Sequence, residues 1–104
     1  MKKIVVFGAS GDTGQYFIKY FLEHYKDEEY QIVATGTRET DYFDQLNVPY
    51  YRVDITNKDE FSKLPNDVYA VVDLAGAMPA RMKGYNPYKY IDVNITGNLN
   101  ILEY

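Results

Sequence analysis

The chain has 104 residues, a formal net charge of -4 at pH 7 and 46% hydrophobic residues, which is the balance of one ordinary globular domain. Its acidic balance argues against a nucleic-acid partner, because nucleic-acid-binding domains present a basic face to the phosphates. It has no cysteine, one histidine and no apolar run as long as a membrane span, so we expect a cytoplasmic protein without disulfides or a bound metal.

The chain begins with a strand pattern that ends at a glycine-rich turn. Residues 3–7 predict a strand, and its apolar run indicates burial on both faces, as in a parallel sheet. Gly8, Gly11 and Gly14 follow, and apolar residues at helical spacing then predict a helix over residues 12–25. This order is typical of a turn that binds a pyrophosphate, because glycines allow close backbone approach and a helix N-terminus favours an anion. A glycine-rich turn without a ligand is the alternative.

The end of the second predicted strand, at residues 30–35, bears on which dinucleotide the turn would take. NAD enzymes with this element order usually place an acidic residue here to hold the ribose hydroxyls. This chain has Gly36 at that position, and Arg38 lies two residues further on. A missing carboxylate removes repulsion of a 2′-phosphate, and an arginine can bind one through two hydrogen bonds, so we expect NADP to be preferred over NAD. A solvated loop arginine without a ligand is the alternative.

The rest of the chain continues the alternation of strands with helices. Strands separated by short helical segments predict a parallel sheet with right-handed crossovers. We expect the strand order 3-2-1-4, with the ligand crevice at the carboxyl ends of strands one and four, where the order reverses. The expected elements after the second strand are a helical turn at residues 41–47, a strand at 50–53, a helix at 57–64 capped by Asn57 or Thr56, a strand at 68–74, a loop at 78–86 and a helix from about Pro87 to the C-terminus.

The last two elements are predicted to be apolar on more than one side. The fourth strand is apolar apart from Tyr69 and Asp73, which indicates burial on both faces. A helix that is apolar all round requires cover on two sides. In the last helix, one side is formed by Ile91, Ile95, Leu99 and Leu102, and the other by Val93, Gly97 and Ile101.

Four short motifs lie in order along the chain. They are Gly8-Ala-Ser-Gly11-Asp-Thr-Gly14, Asp54-Ile55 after the third strand, Val71-Val-Asp73-Leu-Ala75-Gly76 at the fourth strand, and Asn86-Pro87-Tyr88-Lys-Tyr90-Ile-Asp92-Val93-Asn94-Ile-Thr-Gly97-Asn-Leu-Asn-Ile-Leu-Glu in the last helix. At this spacing they resemble the amino-terminal part of the NAD-dependent epimerase/dehydratase family of extended short-chain dehydrogenases/reductases. The resemblance covers nearly the whole chain. Asp73 departs from the family pattern, in which a histidine is common at that position.

The resemblance implies a Rossmann-like three-layer α/β fold and a dinucleotide-binding domain over residues 1–104. In the family, the glycine turn surrounds the pyrophosphate, while the ends of strands two and three face the adenosine ribose and the adenine. The end of strand four lies along the nicotinamide-side ribose, and a helix asparagine supports the active-site lysine and a water. The implied cofactor-binding residues are Gly8, Ser10, Gly11, Asp12, Thr13 and Gly14 in the turn, Arg38 after strand two, Asp54 and Ile55 after strand three, Leu74, Ala75 and Gly76 after strand four, and Asn94 in the last helix.

The family's catalytic residues are expected to lie beyond this sequence. Its Tyr-x-x-x-Lys pair and an upstream Ser or Thr follow a fifth strand, and its sugar-binding domain comes later still. Tyr85 and Lys89 have the Tyr-x-x-x-Lys spacing, but they precede Asn94. They also enclose Pro87, whereas the catalytic pair needs one uninterrupted helical turn. We therefore expect no catalytic residue in this chain.

The resemblance leaves three functions open. The first is the cofactor-binding portion of a reductase or epimerase that acts on a substrate such as a nucleotide-sugar and is inactive alone. The others are a non-enzymatic dinucleotide-sensing module and a truncated chain that serves as an assembly unit. Without a fifth strand, the apolar edge at residues 68–74 and one face of the last helix would be exposed. We therefore expect a homodimer or larger assembly through those surfaces.

Overall fold

The computed structural model describes residues 2–25, 29–76, 88 and 92–104. The predicted loop at 78–86 and the predicted start of the last helix lie outside the described residues. No helix within the described part of the chain has the length and apolarity that crossing a membrane requires. In chain order the elements are β1 (Lys2–Phe7), α1 (Asp12–His24), β2 (Tyr30–Gly36), a 3₁₀ helix (Tyr42–Leu46), β3 (Tyr50–Arg52), a second 3₁₀ helix (Lys58–Lys63), β4 (Val68–Asp73), a π-helical segment (Asp92–Gly97) and α2 (Asn98–Glu103).

The four strands form one parallel sheet in the order β3-β2-β1-β4, which confirms the predicted fold class and strand order. In the central pair, Ile4 lies opposite Ile32 on β2 and opposite Ala70 on β4. β1 therefore has a neighbour on each side, which explains why its apolar run is continuous. The strand order reverses between β1 and β4, so a crevice is expected at the carboxyl ends of these two strands.

Two hydrophobic clusters cover the two faces of the sheet and give the fold its three layers. Alternate residues of a strand point to opposite faces, so Val6 belongs to one cluster and Phe7 to the other. On the first face, Val6 packs in a cluster with Ile18 of α1. On the second face, Phe7 packs with Phe61 of the second 3₁₀ helix and Ile101 of α2. The glycine turn, which connects β1 to α1, thus begins from a strand whose last four residues are buried.

The segment after β3 is a 3₁₀ helix rather than the longer helix predicted over residues 57–64. Of the two predicted caps, Asn57 is the one observed, because its side chain accepts a hydrogen bond of 3.1 Å from the N–H of Asp59. Leu64 has extended backbone and precedes Pro65, which disfavours a helical conformation in the residue before it. The available stretch is therefore short, and short helices commonly take the tighter 3₁₀ form.

The fourth strand and the last helix are each covered on one side only, which corrects the prediction for β4. Along β4, half-buried residues alternate with exposed ones, and Tyr69 and Val71 are 58% and 40% exposed. The cause is position, because β4 is an edge strand and the second cluster is centred on β1, β2 and the segment after β3. In the last helical region, Gly97 and Ile101 are buried, whereas Leu102 is 82% exposed.

Candidate dinucleotide-binding site

Gly8, the first glycine of the turn, adopts a conformation that only glycine tolerates easily. Its φ is +77°, and a Cβ at this position would lie 2.6 Å from the carbonyl carbon of Leu74. The N–H of Leu74 donates to the carbonyl of Phe7 at 2.9 Å, and the N–H of Ala9 donates to that of Thr35 at 2.9 Å. The turn is therefore held between the ends of β2 and β4, directly over the point where the strand order reverses.

Gly14 and Gly11 differ in what their missing side chains leave room for. A Cβ at Gly14 would overlap the carbonyl oxygen of Gly8 and lie 2.5 Å from the Cα of Ala9. Gly14 therefore allows α1 to pack against the turn. Among the described residues, a Cβ at Gly11 would meet only the carbonyl oxygen of Gly8, at an ordinary 3.6 Å. The packing of the part of the chain that the structure describes therefore does not require a glycine at position 11.

The N-terminus of α1 begins at Gly11, the glycine of the turn that has room for a Cβ. Gly11 is the N-cap and makes no side-chain capping hydrogen bond, and Asp12 and Thr13 in the first turn are exposed. The side-chain amide of Gln15 donates to the carbonyl of Ser10 at 2.9 Å, which ties the turn to the helix. A helix N-terminus presents N–H groups and a partial positive charge to an anion. The turn and helix start can therefore hold a phosphate group.

The end of β2, where NAD enzymes usually carry an acidic residue, is closely surrounded by side chains. Gly36 is buried, and a Cβ there would lie 2.8 Å from the Tyr50 hydroxyl and 2.9 Å from the Cβ of Ser10. Arg38 is exposed, and its guanidinium lies 3.5 Å from the carbonyl oxygen of Ser10. The exposed guanidinium thus lies beside the glycine turn, and a side chain at position 36 would require its neighbours to move.

Tyr50 was not predicted from the sequence, and it contacts this same group of residues. Its hydroxyl donates a 2.6 Å hydrogen bond to the carbonyl of Arg38. Burial raises the pKa of the Tyr50 phenol, whereas a hydrogen bond with Ser10 and the charges of Arg52 and Arg38 act in the opposite direction. The phenol is therefore protonated at neutral pH and acts as a hydrogen-bond donor.

At the end of β3, Asp54 and Ile55 are held in different ways. One oxygen of the exposed Asp54 carboxylate accepts hydrogen bonds from the N–H and the hydroxyl of Thr56, at 3.0 and 2.6 Å. The N–H of Asp54 donates to Glu60, and this bond is the largest cause of the lowered pKa of the Glu60 carboxyl. The Ile55 side chain is buried in the second cluster, and its carbonyl accepts a hydrogen bond from Asn100.

At the end of β4, an aspartate shapes the turn. A carboxylate oxygen of Asp73 accepts a 3.1 Å hydrogen bond from the N–H of Ala75, a local side-chain bond that closes the strand end. Leu74 and Gly76 are exposed there. A Cβ at Gly76 would lie 3.3 Å from the side-chain oxygen of Asn94, so the last helical region approaches this end of the strand.

Comparisons with known proteins agree with this fold and geometry. Residues 4–104 match the sequence profile of the NAD dependent epimerase/dehydratase family. The chain belongs to this family. The resemblance inferred from the four motifs is thereby confirmed.

Three members or structural relatives illustrate the match. The inverting UDP-N-acetylglucosamine 4,6-dehydratase of Campylobacter jejuni subsp. jejuni is 29% identical over 98% of this chain and 32% of its own length. The UDP-glucuronate 4-epimerase of Thermodesulfobacterium geofontis is 28% identical over 95% of this chain and 34% of its own length. The structure of L-threonine dehydrogenase from Clostridium difficile superposes with a TM-score of 0.78 at 24% identity, over 99% of this chain and 32% of that one. The chain thus spans about a third of the length of the curated relatives it matches.

In this member of the epimerase/dehydratase family, the predicted cofactor-binding residues lie at one edge of the sheet. The glycine turn, Arg38, Asp54 and the residues after β4 all follow the carboxyl ends of parallel strands. Asn94 reaches the same edge beside Gly76. Tyr85 and Lys89 lie outside the described residues. Tyr50 had no signal in the sequence, because it lies at the start of β3 and belongs to none of the four motifs.

Proposed function

We propose that this chain is the dinucleotide-binding portion of an epimerase, dehydratase or reductase of its family, inactive without the rest of the enzyme. The observation that carries this proposal is the turn between β1 and α1, where packing among the described residues requires a glycine at Gly8 and Gly14 but not at Gly11. A glycine without a packing reason, at a helix N-terminus and beside a strand-order reversal, fits a pyrophosphate lying against the backbone. When bound, the nicotinamide supplies hydride transfer.

The described residues divide the binding of such a cofactor among the strand ends. Main-chain N–H groups at the start of α1 neutralise part of the pyrophosphate charge. Thr56 orients the Asp54 carboxylate through one of its two oxygens, and the other oxygen would face the adenine. The side chain of Ile55 is buried, so only its main chain is available at the adenine. The proposed set is Gly8, Ser10, Gly11, Asp12, Thr13 and Gly14 at the pyrophosphate, Arg38 at the adenosine ribose, Asp54 and Ile55 at the adenine, and Leu74, Ala75, Gly76 and Asn94 on the nicotinamide side.

We also propose that the chain prefers NADP to NAD. The support is steric as well as electrostatic, because a carboxylate at Gly36 would overlap Ser10 and Tyr50. The exposed Arg38 guanidinium lies close to the turn, at 3.5 Å from the Ser10 carbonyl oxygen. A hydrogen bond to a charged group contributes about 1.5–3 kcal/mol, or roughly 10- to 100-fold in affinity. Arg38 is therefore expected to favour a 2′-phosphate by about that factor.

The substrate is proposed to be a nucleotide-sugar, bound in a longer protein. The support comes from the two curated relatives, which by name act on UDP-N-acetylglucosamine and UDP-glucuronate. This chain matches each of them over about a third of its length. The residues described here would serve the cofactor, and substrate recognition would depend on the remainder of such an enzyme.

Self-association is a further proposal, and exposed apolar side chains support it. On β4, Tyr69 and Val71 are exposed, and in the last helical region Ile95, Leu99 and Leu102 are 55%, 56% and 82% exposed. Apolar surface on an edge strand and an adjoining helix favours pairing with a second copy. Sedimentation of the purified chain at increasing concentration is expected to show a dimer or larger species. A monomer throughout would contradict self-association.

Calorimetric titration of the purified chain with NADP and NAD, at low and moderate salt, tests the cofactor proposals. We expect NADP to bind more tightly than NAD and its affinity to decrease at higher salt. Arg38→Ala is expected to lower the affinity for NADP by roughly tenfold or more. Lys19→Ala is the matched control, because it removes an exposed positive charge from α1 away from the turn. Equal binding of both dinucleotides would contradict the proposed role of Arg38, but not the proposal that the chain binds a dinucleotide. Binding of neither would contradict the proposed function of this chain.

A further inference from the structure

The loop that follows β2 is held by side chains of β3. The Tyr50 hydroxyl donates to the carbonyl of Arg38 at 2.6 Å. The guanidinium of Arg52 donates to the carbonyl of Thr37 through two nitrogens, at 3.3 and 3.2 Å. Two successive carbonyls of the loop are thus fixed by two residues of the neighbouring strand. The main chain from which the Arg38 side chain extends is therefore positioned by β3.

Tyr50 is itself anchored in the core. Its ring stacks on that of Phe43 with centroids 5.2 Å apart and an interplanar angle of 15°. Phe43 has no exposed surface. The ring of Tyr50 is therefore held in place by packing, and this packing fixes the position of its hydroxyl. Removing the hydroxyl alone would leave the stacked ring where it is.

The Tyr50 hydroxyl also occupies the place beside Gly36 where a side chain would begin. It lies 2.8 Å from the position of a Cβ at Gly36, and the Cβ of Ser10 lies 2.9 Å from the same point. Ser10 is 6% exposed, so its hydroxyl group faces this enclosed space. The exclusion of a side chain at Gly36 is therefore steric, and the Tyr50 hydroxyl proton is already engaged by the carbonyl of Arg38.

We propose that Tyr50 is a positioning residue that sets the dinucleotide selectivity of this site. It holds the main chain at Arg38 so that the guanidinium stays beside the glycine turn, and its hydroxyl takes the space that a ribose-binding carboxylate would need. This inference rests on the proposed function, since it concerns selectivity at the same site. Loss of the hydrogen bond from Tyr50 to Arg38 corresponds to about a fivefold decrease in affinity. Only ligands that contact the Arg38 side chain are expected to show this decrease.

Tyr50→Phe tests this role, because it removes the hydroxyl and keeps the stacked ring. The probes are NADP and NAD, together with adenosine 2′,5′-bisphosphate and 5′-AMP, which report the adenosine end alone. We expect Tyr50→Phe to weaken NADP and the bisphosphate by about fivefold, and to change NAD and 5′-AMP by less than about twofold. Tyr51→Phe is the matched control, because it makes the same change on the adjacent residue of β3, whose side chain is exposed.

A second comparison separates positioning from a merely structural role. In an Arg38→Ala background, Tyr50→Phe is expected to cause no further loss of NADP affinity, because the side chain it positions is gone. Equal weakening of all four ligands, or the same loss in both backgrounds, would overturn the inference. So would unchanged NADP affinity in Tyr50→Phe while the wild-type chain binds NADP. If the wild-type chain binds neither dinucleotide, the proposed function fails first and this inference fails with it.

Discussion

Replacing Gly8 and Gly11 separately by alanine should separate a glycine required by the fold from a glycine required by the ligand. At Gly8, φ is +77° and a Cβ would lie 2.6 Å from the carbonyl carbon of Leu74. The left-handed conformation costs a non-glycine residue about 1–2 kcal/mol, and overlap with rigid backbone adds about 1–3 kcal/mol. Gly8→Ala should therefore lose about 2–5 kcal/mol of a total stability of about 5–15 kcal/mol.

Gly11→Ala has a different expected outcome, because the folded chain has room for the methyl group. The backbone at Gly11 has φ -78° and ψ 171°, which any residue adopts, and the nearest atom to a Cβ is 3.6 Å away. Alanine restricts the unfolded chain but is a poorer N-cap than glycine, so the net change in stability should stay within about 1 kcal/mol. Affinity for NADP should fall at least about tenfold, because the methyl group displaces the pyrophosphate from N–H groups of the turn.

The assays are thermal and urea denaturation followed by circular dichroism, and calorimetric titration with NADP. Gly8→Ala is expected to lower the melting temperature by at least about 10 °C. Gly11→Ala is expected to melt close to the wild-type chain and bind NADP poorly. A Gly11→Ala variant that binds NADP as the wild-type chain does would refute the placement of the pyrophosphate. A Gly8→Ala variant of unchanged stability would refute the steric argument.

Two further predictions concern the end of β2 and two half-buried phenols. Gly36→Asp should lose about 1–3 kcal/mol of stability and gain no affinity for NAD, because its side chain overlaps Ser10 and Tyr50; tighter NAD binding by calorimetry would contradict this. Burial raises the pKa of Tyr50 and of Tyr104, so the folded chain keeps protons that the unfolded chain loses. Stability should be fully present below about pH 10 and fall as the pH rises further, and a urea midpoint that rises between about pH 8 and about pH 10.5 would show the sign to be wrong.

The architecture of this chain could be predicted from local patterns. Continuous apolar runs in short strands, alternating with helical segments, indicate a parallel sheet. The glycine turn after the first strand indicates that the strand order reverses beside that strand. The cap was predicted at Asn57 or Thr56, because both side chains can accept a hydrogen bond from an N–H in the first turn, and Asn57 is the one that does. The period of the hydrophobic pattern and the chemistry of turns and caps act over a few residues, so they can be read from the sequence.

The sequence by itself therefore determined where the strands and the glycine turn lie, because each depends on neighbours along the chain, and the alternation of strands with helical segments indicated the strand order. Only the tertiary structure decided that one face of β4 is uncovered within the described residues, since Val71 is as apolar as its partner Val5 on β1 but is 40% exposed, whereas Val5 is fully buried. It also decided that Tyr50 meets Arg38 and lies beside Gly36. That contact joins residues of different strands, and it depends on the register in which β3 pairs with β2, with Tyr50 opposite Ala34, which the predicted strand order does not specify.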